Sequence, residues 1–115
     1  MIAHEPTLIR TGGDPVVMLN MFQVAPEAQA TLVRRLAEMT EATFSRQLGF
    51  VSANIHRSID GERVFNYAQW RSPNDLLAAL QLPEVQDLVA ESRGLGTPDW
   101  HFYEVASRHF ASSTR

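Results

Sequence analysis

Residues 50–71 read FVSANIHRSIDGERVFNYAQWR, and this stretch decides the fold. Two segments rich in β-branched and aromatic residues flank Asp60-Gly61, the dipeptide most typical of a two-residue hairpin turn of type I′. If these two residues form the turn, the register of both strands follows from it. The predicted facing pairs are Ile59 with Glu62, Arg57 with Val64, Ile55 with Asn66, Ala53 with Ala68, and Val51 with Trp70.

Outside the hairpin, the chain alternates strand and helix signals. Residues 16–24 predict a strand that is apolar on both faces, and residues 26–48 predict a helix that opens with Pro26. After the hairpin, Ser72 is a helix cap, and Pro83 breaks or kinks the helix that follows. A glycine-rich loop over residues 94–98 then leads into a last strand over residues 99–106.

The order β-α-β-β-α-β predicts an α+β protein with the ferredoxin-like split β-α-β fold. Its four-stranded antiparallel sheet carries helices on one face, and the other face presents Phe65, Tyr67 and part of the first strand. An exposed apolar patch of this kind predicts a homodimer in which two sheets meet as an α+β barrel. We expect one domain over residues 16–106, a flexible arm over 1–15 and a loose tail over 107–115.

Composition excludes several classes of function. The 115 residues carry a net charge of -3, without the basic surface that nucleic-acid binding needs. No apolar run reaches the roughly 20 residues of a membrane helix, and residues 1–15 lack the apolar core of a signal peptide. The chain has no cysteine and no lysine, which excludes thiolate and Schiff-base catalysis. We expect a cytoplasmic protein that binds neither nucleic acid nor membranes.

Asn66 is the unusual residue on its strand face, because Val64, Ala68 and Trp70 around it are apolar. Asn20 repeats this pattern between Met18 and Phe22 in the first strand. A buried amide without a partner costs roughly 1–3 kcal/mol. Each asparagine is therefore either satisfied by a neighbouring backbone group or directed at a cavity that holds a ligand.

Other polar residues carry less information. The four histidines show no metal-ligand spacing, and the carboxylates form no catalytic pair, so we expect no metal site. His56 lies on the opposite sheet face from Asn66, where it is a candidate hydrogen-bonding residue at the dimer interface. Arg93 either stabilises the carboxyl end of the second helix or reaches an acidic oxygen of a substrate.

The segment GFVSANIHRSIDG, residues 49–61, followed by VFNYAQW, residues 64–70, resembles the antibiotic biosynthesis monooxygenase family. NYAQW is especially similar to the cofactor-independent enzymes of aromatic polyketide pathways. The resemblance spans about residues 16–105 and implies a dimeric ferredoxin-like α+β barrel. Haem-degrading members of the family ligate iron through a histidine of the second helix, and this chain has no histidine between His56 and His101.

In the quinone-forming members, a first-strand asparagine and an Asn…Trp pair of the third strand line the substrate pocket. By position, the resemblance implies that Asn20, Asn66 and Trp70 are the catalytic residues. It also implies a small aromatic substrate and O₂, with no flavin, haem or metal cofactor. The expected substrate contacts are the apolar residues around these three: Phe22, Val51, Ile55, Val64, Leu76 and Leu80.

Three hypotheses follow for the function. The first is a cofactor-independent monooxygenase that oxidises an electron-rich anthrone, phenol or naphthol to a quinone. The second is another enzyme on the same scaffold, such as a quinol oxygenase of a small metabolite, an isomerase or a cyclase. The third is a dimeric ligand-binding domain without catalytic activity. Dependence of turnover on O₂ separates the first from an isomerase or cyclase.

Overall fold

The structure is a computed structural model that describes residues 6–112, so the first five residues of the predicted arm and the last three of the predicted tail lie outside it. Seven main elements follow one another along the chain. They are β1 (Gly12–Val24), α1 (Pro26–Ala42), β2 (Phe50–Arg57), β3 (Arg63–Trp70), α2 (Pro73–Ala79), α3 (Pro83–Leu95) and β4 (Gly96–Val105).

The four strands form one antiparallel sheet in the order β2-β3-β1-β4. The two helical crossovers, α1 and the α2–α3 pair, connect strands that are not neighbours in this order. This topology confirms the predicted ferredoxin-like α+β fold. The central strands β1 and β3 pair from Val16–Trp70 to Gln23–Arg63 and form the middle of the sheet.

The hairpin keeps the predicted register with a different turn. Arg57 faces Val64, Ile55 faces Asn66 and Ala53 faces Ala68, as the sequence predicts. The turn is wider than the predicted type I′ turn, because β2 ends at Arg57, β3 begins at Arg63, and of Asp60 and Gly61 only Gly61 has a positive φ, of 82°. Ser58 holds the wider loop closed, since its backbone N–H donates to the Arg63 carbonyl at 3.0 Å.

The far end of the hairpin departs from the prediction. A register shift between Phe50 and Ser52 leaves Phe50, and not Val51, opposite Trp70. An extra residue in one strand is a β-bulge, which redirects the side chains beside it. Phe50 therefore packs on Trp70, with ring centroids 5.4 Å apart at 90°, while 47% of Val51 is exposed.

Helix boundaries differ from the predictions in two places. α1 ends at Ala42 instead of Leu48, and a 3-10 turn at Phe44–Arg46 leads to Gly49, which has a φ of 85°. The predicted loop over 94–98 is divided between the end of α3 and the start of β4, because Gly96 pairs with Val24. A side chain at Gly96 would lie 2.8 Å from the Gln23 carbonyl, so this close approach of β4 to β1 favours glycine.

The start of α2 agrees with the sequence, because the Ser72 hydroxyl accepts from the Asp75 backbone N–H at 3.2 Å.

The helices cover one face of the sheet and form two apolar clusters with it. One cluster centres on Met18, Trp70 and Leu76. The second centres on Phe22 and on Leu32 and Leu36 of α1.

Candidate active site

Two asparagines lie side by side in the middle of the covered sheet face. Asn20 of β1 and Asn66 of β3 are direct cross-strand partners. Directly opposite residues on an antiparallel pair project from the same face, with Cβ atoms about 4.5–5.5 Å apart. The strand register therefore brings together two polar side chains from positions 46 residues apart in the chain.

Both asparagines line a cavity of about 360 Å³ between the sheet and the helices. This volume lies within the range of small-molecule sites. Most of its lining is apolar and comes from β1, α1, the 3-10 turn, α2 with its C-cap, α3 and β4. The apolar lining residues are Met18, Phe22, Leu36, Met39, Phe44, Leu76, Leu80, Val89, Ala90, Pro98 and Trp100.

The carboxamide oxygens of Asn20 and Asn66 are buried, and neither has a hydrogen-bond partner among the described residues. Of the two alternatives that the sequence left open, satisfaction of these oxygens by a neighbouring backbone group is therefore not observed. A buried acceptor left unpaired costs about 1–3 kcal/mol. A carboxamide also presents two N–H donors when it rotates by 180°, so each can accept from a ligand or donate to it.

Trp70 lies beside the asparagines but behind the wall of the main cavity. It is 2% exposed and packs edge-to-face against Phe44 and Phe50, with ring centroids 6.0 and 5.4 Å away. It lines a small adjoining cavity of about 20 Å³ that shares Asn66 and Leu76 with the main cavity. In this structure Trp70 supports the wall next to Asn66 and does not line the large cavity.

The six predicted substrate contacts divide into two groups of three. Phe22, Leu76 and Leu80 line the cavity. Val51 does not, because the β-bulge turns it toward a separate groove beside Arg10, Ser52 and Arg71. Val64 is fully buried in the second apolar cluster and the half-buried Ile55 packs against that cluster, and neither lines the cavity.

Apart from Arg93, which the sequence offered as a candidate substrate contact, sequence reasoning missed the contribution of α3 and β4. Gln86, Val89, Ala90 and Arg93 lie on one side of α3 and line the cavity. Their spacing of three, one and three residues is that of one helix face, and this signal was available in the sequence. Trp100 of β4 is the direct partner of Asn20 and also lines the cavity, so Asn66, Asn20 and Trp100 form a row across three strands.

An ion pair connects α1 and α3. The Arg35 guanidinium of α1 donates to the Glu91 carboxylate of α3 through Nε at 2.7 Å and a terminal nitrogen at 2.8 Å. Arg35 also contacts Glu38. The hydrogen bonds from Arg35 hold the pKa of the Glu91 carboxyl below its usual value. This bidentate contact links α1 and α3 at the surface, outside the cavity.

Two classes of site are not observed in residues 6–112. No group of three or more histidine, aspartate or glutamate side chains is placed to hold a metal ion. None of the helices in the same range is long and apolar enough to span a bilayer. A further close pair of titratable groups, His101 Nε2 and Asp99 Oδ1 at 2.9 Å, is exposed on β4.

Comparison with known proteins identifies the family of this chain. Residues 15–91 match the family model for antibiotic biosynthesis monooxygenases. Over 100 residues the chain is 41% identical to the tetracenomycin-F1 monooxygenase of Streptomyces glaucescens, with 87% of this chain and 89% of that protein aligned.

Solved structures agree with the sequence relatives. The monooxygenase ActVA-Orf6 of Streptomyces coelicolor, in complex with nanaomycin D, superposes with a TM-score of 0.75 at 28% identity, covering 86% of this chain and 94% of that one. SnoaB, a cofactor-independent oxygenase from Streptomyces nogalater, superposes with a TM-score of 0.68 at 26% identity, covering 83% and 96%.

Proposed function

The chain belongs to the antibiotic biosynthesis monooxygenase family and is a monooxygenase, and we propose that it oxidises an electron-rich aromatic substrate to a quinone. The substrate is of the anthrone, phenol or naphthol type, and O₂ is the oxidant without a bound cofactor. The observation that carries this proposal is the facing pair Asn20 and Asn66, which lines an apolar cavity and whose buried carboxamide oxygens have no hydrogen-bond partner among the described residues.

The substrate itself supplies the electrons in this reaction. For an anthrone, loss of a proton from the ring CH₂ gives a delocalised enolate, which transfers one electron to O₂. Recombination of the radicals and protonation form a carbon–hydroperoxide bond. Loss of water from the hydroperoxide leaves the new carbonyl, so CH₂ and O₂ become C=O and H₂O. All four electrons that reduce O₂ come from the substrate.

Asn20 and Asn66 have one role in this scheme, which is to stabilise the enolate oxygen. The negative charge develops on the oxygen of the former carbonyl, and an amide N–H aimed at that oxygen binds it more tightly as the charge grows. Two neighbouring carboxamides in an apolar enclosure are organised before the substrate arrives. Removal of one such donor in other enzymes lowers kcat by about 10²–10³-fold.

Trp70 has a positioning role beside the pair. Its indole is held by the rings of Phe44 and Phe50, and the small cavity next to it also borders Asn66. This space of about 20 Å³ is close to the volume of a single small molecule, such as water. Under the proposal it is where dioxygen or the peroxide oxygen resides while the aromatic substrate occupies the larger cavity.

The proposed assembly is a homodimer that buries the uncovered sheet face. On this face Met21 and Tyr103 are 41% and 44% exposed, and Phe65 lies between Met21 and His56 in the register. The buried Tyr67 hydroxyl on the same face has no hydrogen-bond partner among the described residues. A second copy, packed sheet to sheet, is the occupant expected for this surface. Sedimentation equilibrium tests it, because a monomer at micromolar concentration would contradict the proposal.

The reaction is tested with 1,8-dihydroxyanthrone and ¹⁸O₂ in buffer freed of metals and flavins. We expect one O₂ consumed for each quinone formed, with one ¹⁸O atom in the new carbonyl and the other in water. Turnover without O₂ would indicate an isomerase or cyclase. Binding without turnover across anthrone and naphthol substrates would indicate a ligand-binding domain, and either result would overturn the proposal.

A further inference from the structure

The cavity lining includes a partly exposed aromatic side chain to which the proposed reaction gives no role. Trp100 of β4 lines the cavity and is 36% exposed, although it lies on the sheet face that the helices cover. Exposure of a large apolar side chain to water is unfavourable, and small-molecule sites are commonly lined with aromatic groups. The indole of Trp100 is therefore a candidate contact for an apolar ligand in the cavity.

The two tryptophans of the chain differ in how they are packed. Trp70 is 2% exposed and contacts the rings of both Phe44 and Phe50. Within the described residues, the ring contact of Trp100 is with Phe102, at a centroid distance of 5.6 Å and an angle of 86°. Phe102 in turn packs against the apolar cluster that contains Trp70. This edge-to-face contact supports the indole of Trp100 and leaves part of its surface free for a ligand.

The strand register sets the distance between Trp100 and the asparagine pair. Asn20 of the central strand β1 lies directly opposite Asn66 on β3 and directly opposite Trp100 on β4. Adjacent strands are about 4.8 Å apart, so the row from Asn66 to Trp100 spans roughly 10 Å. A single aromatic ring covers only part of this row, whereas three rings fused in line match its length. A flat polycyclic molecule with its reacting carbon at the asparagines would therefore extend its far ring to Trp100.

We infer that Trp100 packs against the substrate ring farthest from the reacting carbon, and so makes the site specific for molecules of three or more fused rings over single-ring phenols. The inference deepens the proposed function, on which it rests for the identity of the bound molecule as a substrate. Aromatic pairs in edge-to-face or offset-stacked geometry are favourable beyond the area that they bury. A phenol bound at the asparagines lacks the ring that would make this contact.

A binding experiment without turnover compares two ligands that share a hydroxyl beside a carbonyl and differ in the number of rings. 1,8-Dihydroxyanthraquinone has three fused rings, and 2′-hydroxyacetophenone has one. We expect Trp100→Ala to weaken binding of the three-ring ligand about 10- to 100-fold, because buried area and an aromatic contact are both lost. Binding of the one-ring ligand should stay within about twofold of the wild type. Titration calorimetry measures the first affinity and NMR titration the second.

Two further variants are controls. Trp100→Phe keeps an aromatic ring on β4 and should keep most of the affinity for the three-ring ligand. Phe110→Ala removes an aromatic side chain that is 82% exposed outside the cavity, and it should bind both ligands as the wild type does. If Trp100→Ala is unfolded by circular dichroism, Trp100→Leu replaces it, with an expected loss of about 2- to 10-fold for the three-ring ligand alone.

Unchanged affinity of Trp100→Ala for the three-ring ligand would overturn the inference. An equal loss for both ligands would also overturn it, because it would mean that the variant damages the cavity in general. NMR reports the contact itself, since the chain has two tryptophans and Trp100→Phe removes one of the two indole signals and so assigns both. We expect nuclear Overhauser effects between the Trp100 indole and the outer-ring protons of the bound anthraquinone. Such effects from Trp70 alone would contradict the assignment.

Steady-state kinetics then separates this inference from the proposed function. With 1,8-dihydroxyanthrone as substrate, Trp100→Ala should raise KM about 10- to 100-fold and leave kcat unchanged, because a remote contact is made equally before and during the reaction. If the anthrone is not oxidised but tight binding of the anthraquinone depends on Trp100, the proposed reaction fails while the aromatic contact stands. A fall in kcat with unchanged KM would instead overturn the specificity role of Trp100.

Discussion

Side-chain carboxamides on the two faces of the sheet differ in their hydrogen bonding. On the open face, Gln69 is 3% exposed, and both polar atoms of its carboxamide are hydrogen-bonded. The nitrogen donates to the Leu8 carbonyl at 2.7 Å, and the oxygen accepts from the Ser52 hydroxyl at 2.9 Å. Asn54 on the same face donates to the Tyr67 carbonyl at 3.2 Å. On the covered face, the oxygens of Asn20 and Asn66 have no partner within the described residues.

This difference separates a structural carboxamide from a functional one. Gln69 connects the segment before β1 to the sheet, so its hydrogen bonds contribute to the folded state. The asparagine pair contributes little to folding as observed, since an unpaired buried acceptor is a cost. A strained or unsatisfied group persists where another requirement maintains it. Under the proposed function, this requirement is the binding of a substrate in the cavity.

The largest expected effect is on the covered face. Asn66→Ala should lower kcat/KM for the anthrone by about 100- to 1,000-fold, because one donor to the enolate oxygen is lost. The free energy of unfolding in urea should change by less than about 1 kcal/mol, since the Asn66 oxygen accepts no hydrogen bond from the described part of the chain. Oxygen uptake and urea denaturation measure the two quantities. Unchanged kcat/KM would remove Asn66 from the site.

Gln69→Ala is the matched substitution on the open face and should give the reverse result. It leaves the Leu8 carbonyl and the Ser52 hydroxyl without their partner, so we expect a loss of about 1–3 kcal/mol in unfolding free energy. The value of kcat/KM should stay within about twofold of the wild type at a temperature where both proteins are folded. Undiminished stability would show that the two faces do not differ in the way the hydrogen bonds indicate.

A third substitution, at Asn66, separates the effect of the carboxamide on stability from its effect on activity. Asn66→Leu replaces the unpaired carboxamide with an apolar side chain of similar size in an apolar setting. We expect the free energy of unfolding to rise by up to about 1 kcal/mol, because the cost of burying an unpaired carboxamide oxygen is removed. Activity should be lost at the same time. Thermal and urea unfolding measure the gain. A clear loss of stability would indicate that the Asn66 amide supports the fold after all.

The smallest effect is expected outside both faces, at the ion pair between α1 and α3. Arg35 lowers the pKa of Glu91, so the pair stabilises the fold above the ordinary pKa of 4.5 and loses this contribution as the pH falls through the lower folded-state pKa. Glu91→Gln should lower the Tm slightly at pH 7, and the gap to the wild type should close in acid. A gap that widens in acid would contradict this sign.

The sequence was sufficient for the topology and for the floor of the site. The hairpin pattern placed Ile55 opposite Asn66, and alternation placed Asn20, Asn66 and Trp70 on the covered face. Strand alternation and pairing are local rules, so they survive even where the turn itself is wider than the predicted one. The β-bulge at Val51 was not predictable in this way, because a strand with one extra residue has the same kinds of residues as a regular strand.

The walls of the cavity were harder to predict from the sequence than its floor. Whether Ile55 or Leu36 faces empty space depends on how closely α1 and α3 approach the sheet, and no pattern in the sequence gives that distance. Val64 illustrates the limit, since it lies two residues from Asn66 on the same strand face and is fully buried in the core. The place of Trp100 in the cavity became visible only with the pairing of β4 with β1, which sets Trp100 opposite Asn20.

The break between α2 and α3 has an evolutionary consequence. α2 ends at Ala79 and α3 begins at Pro83, so the helical layer on that side consists of two short pieces joined by a few residues. The asparagine pair is fixed by the strand register, whereas Gln86, Val89 and Arg93 are presented by α3 alone. Under the proposed function, substitutions on this one helix face would change which molecules are accepted and leave the asparagine pair and its chemistry unchanged. A fold with this division would accept new substrates through changes in α3 and keep the same reaction.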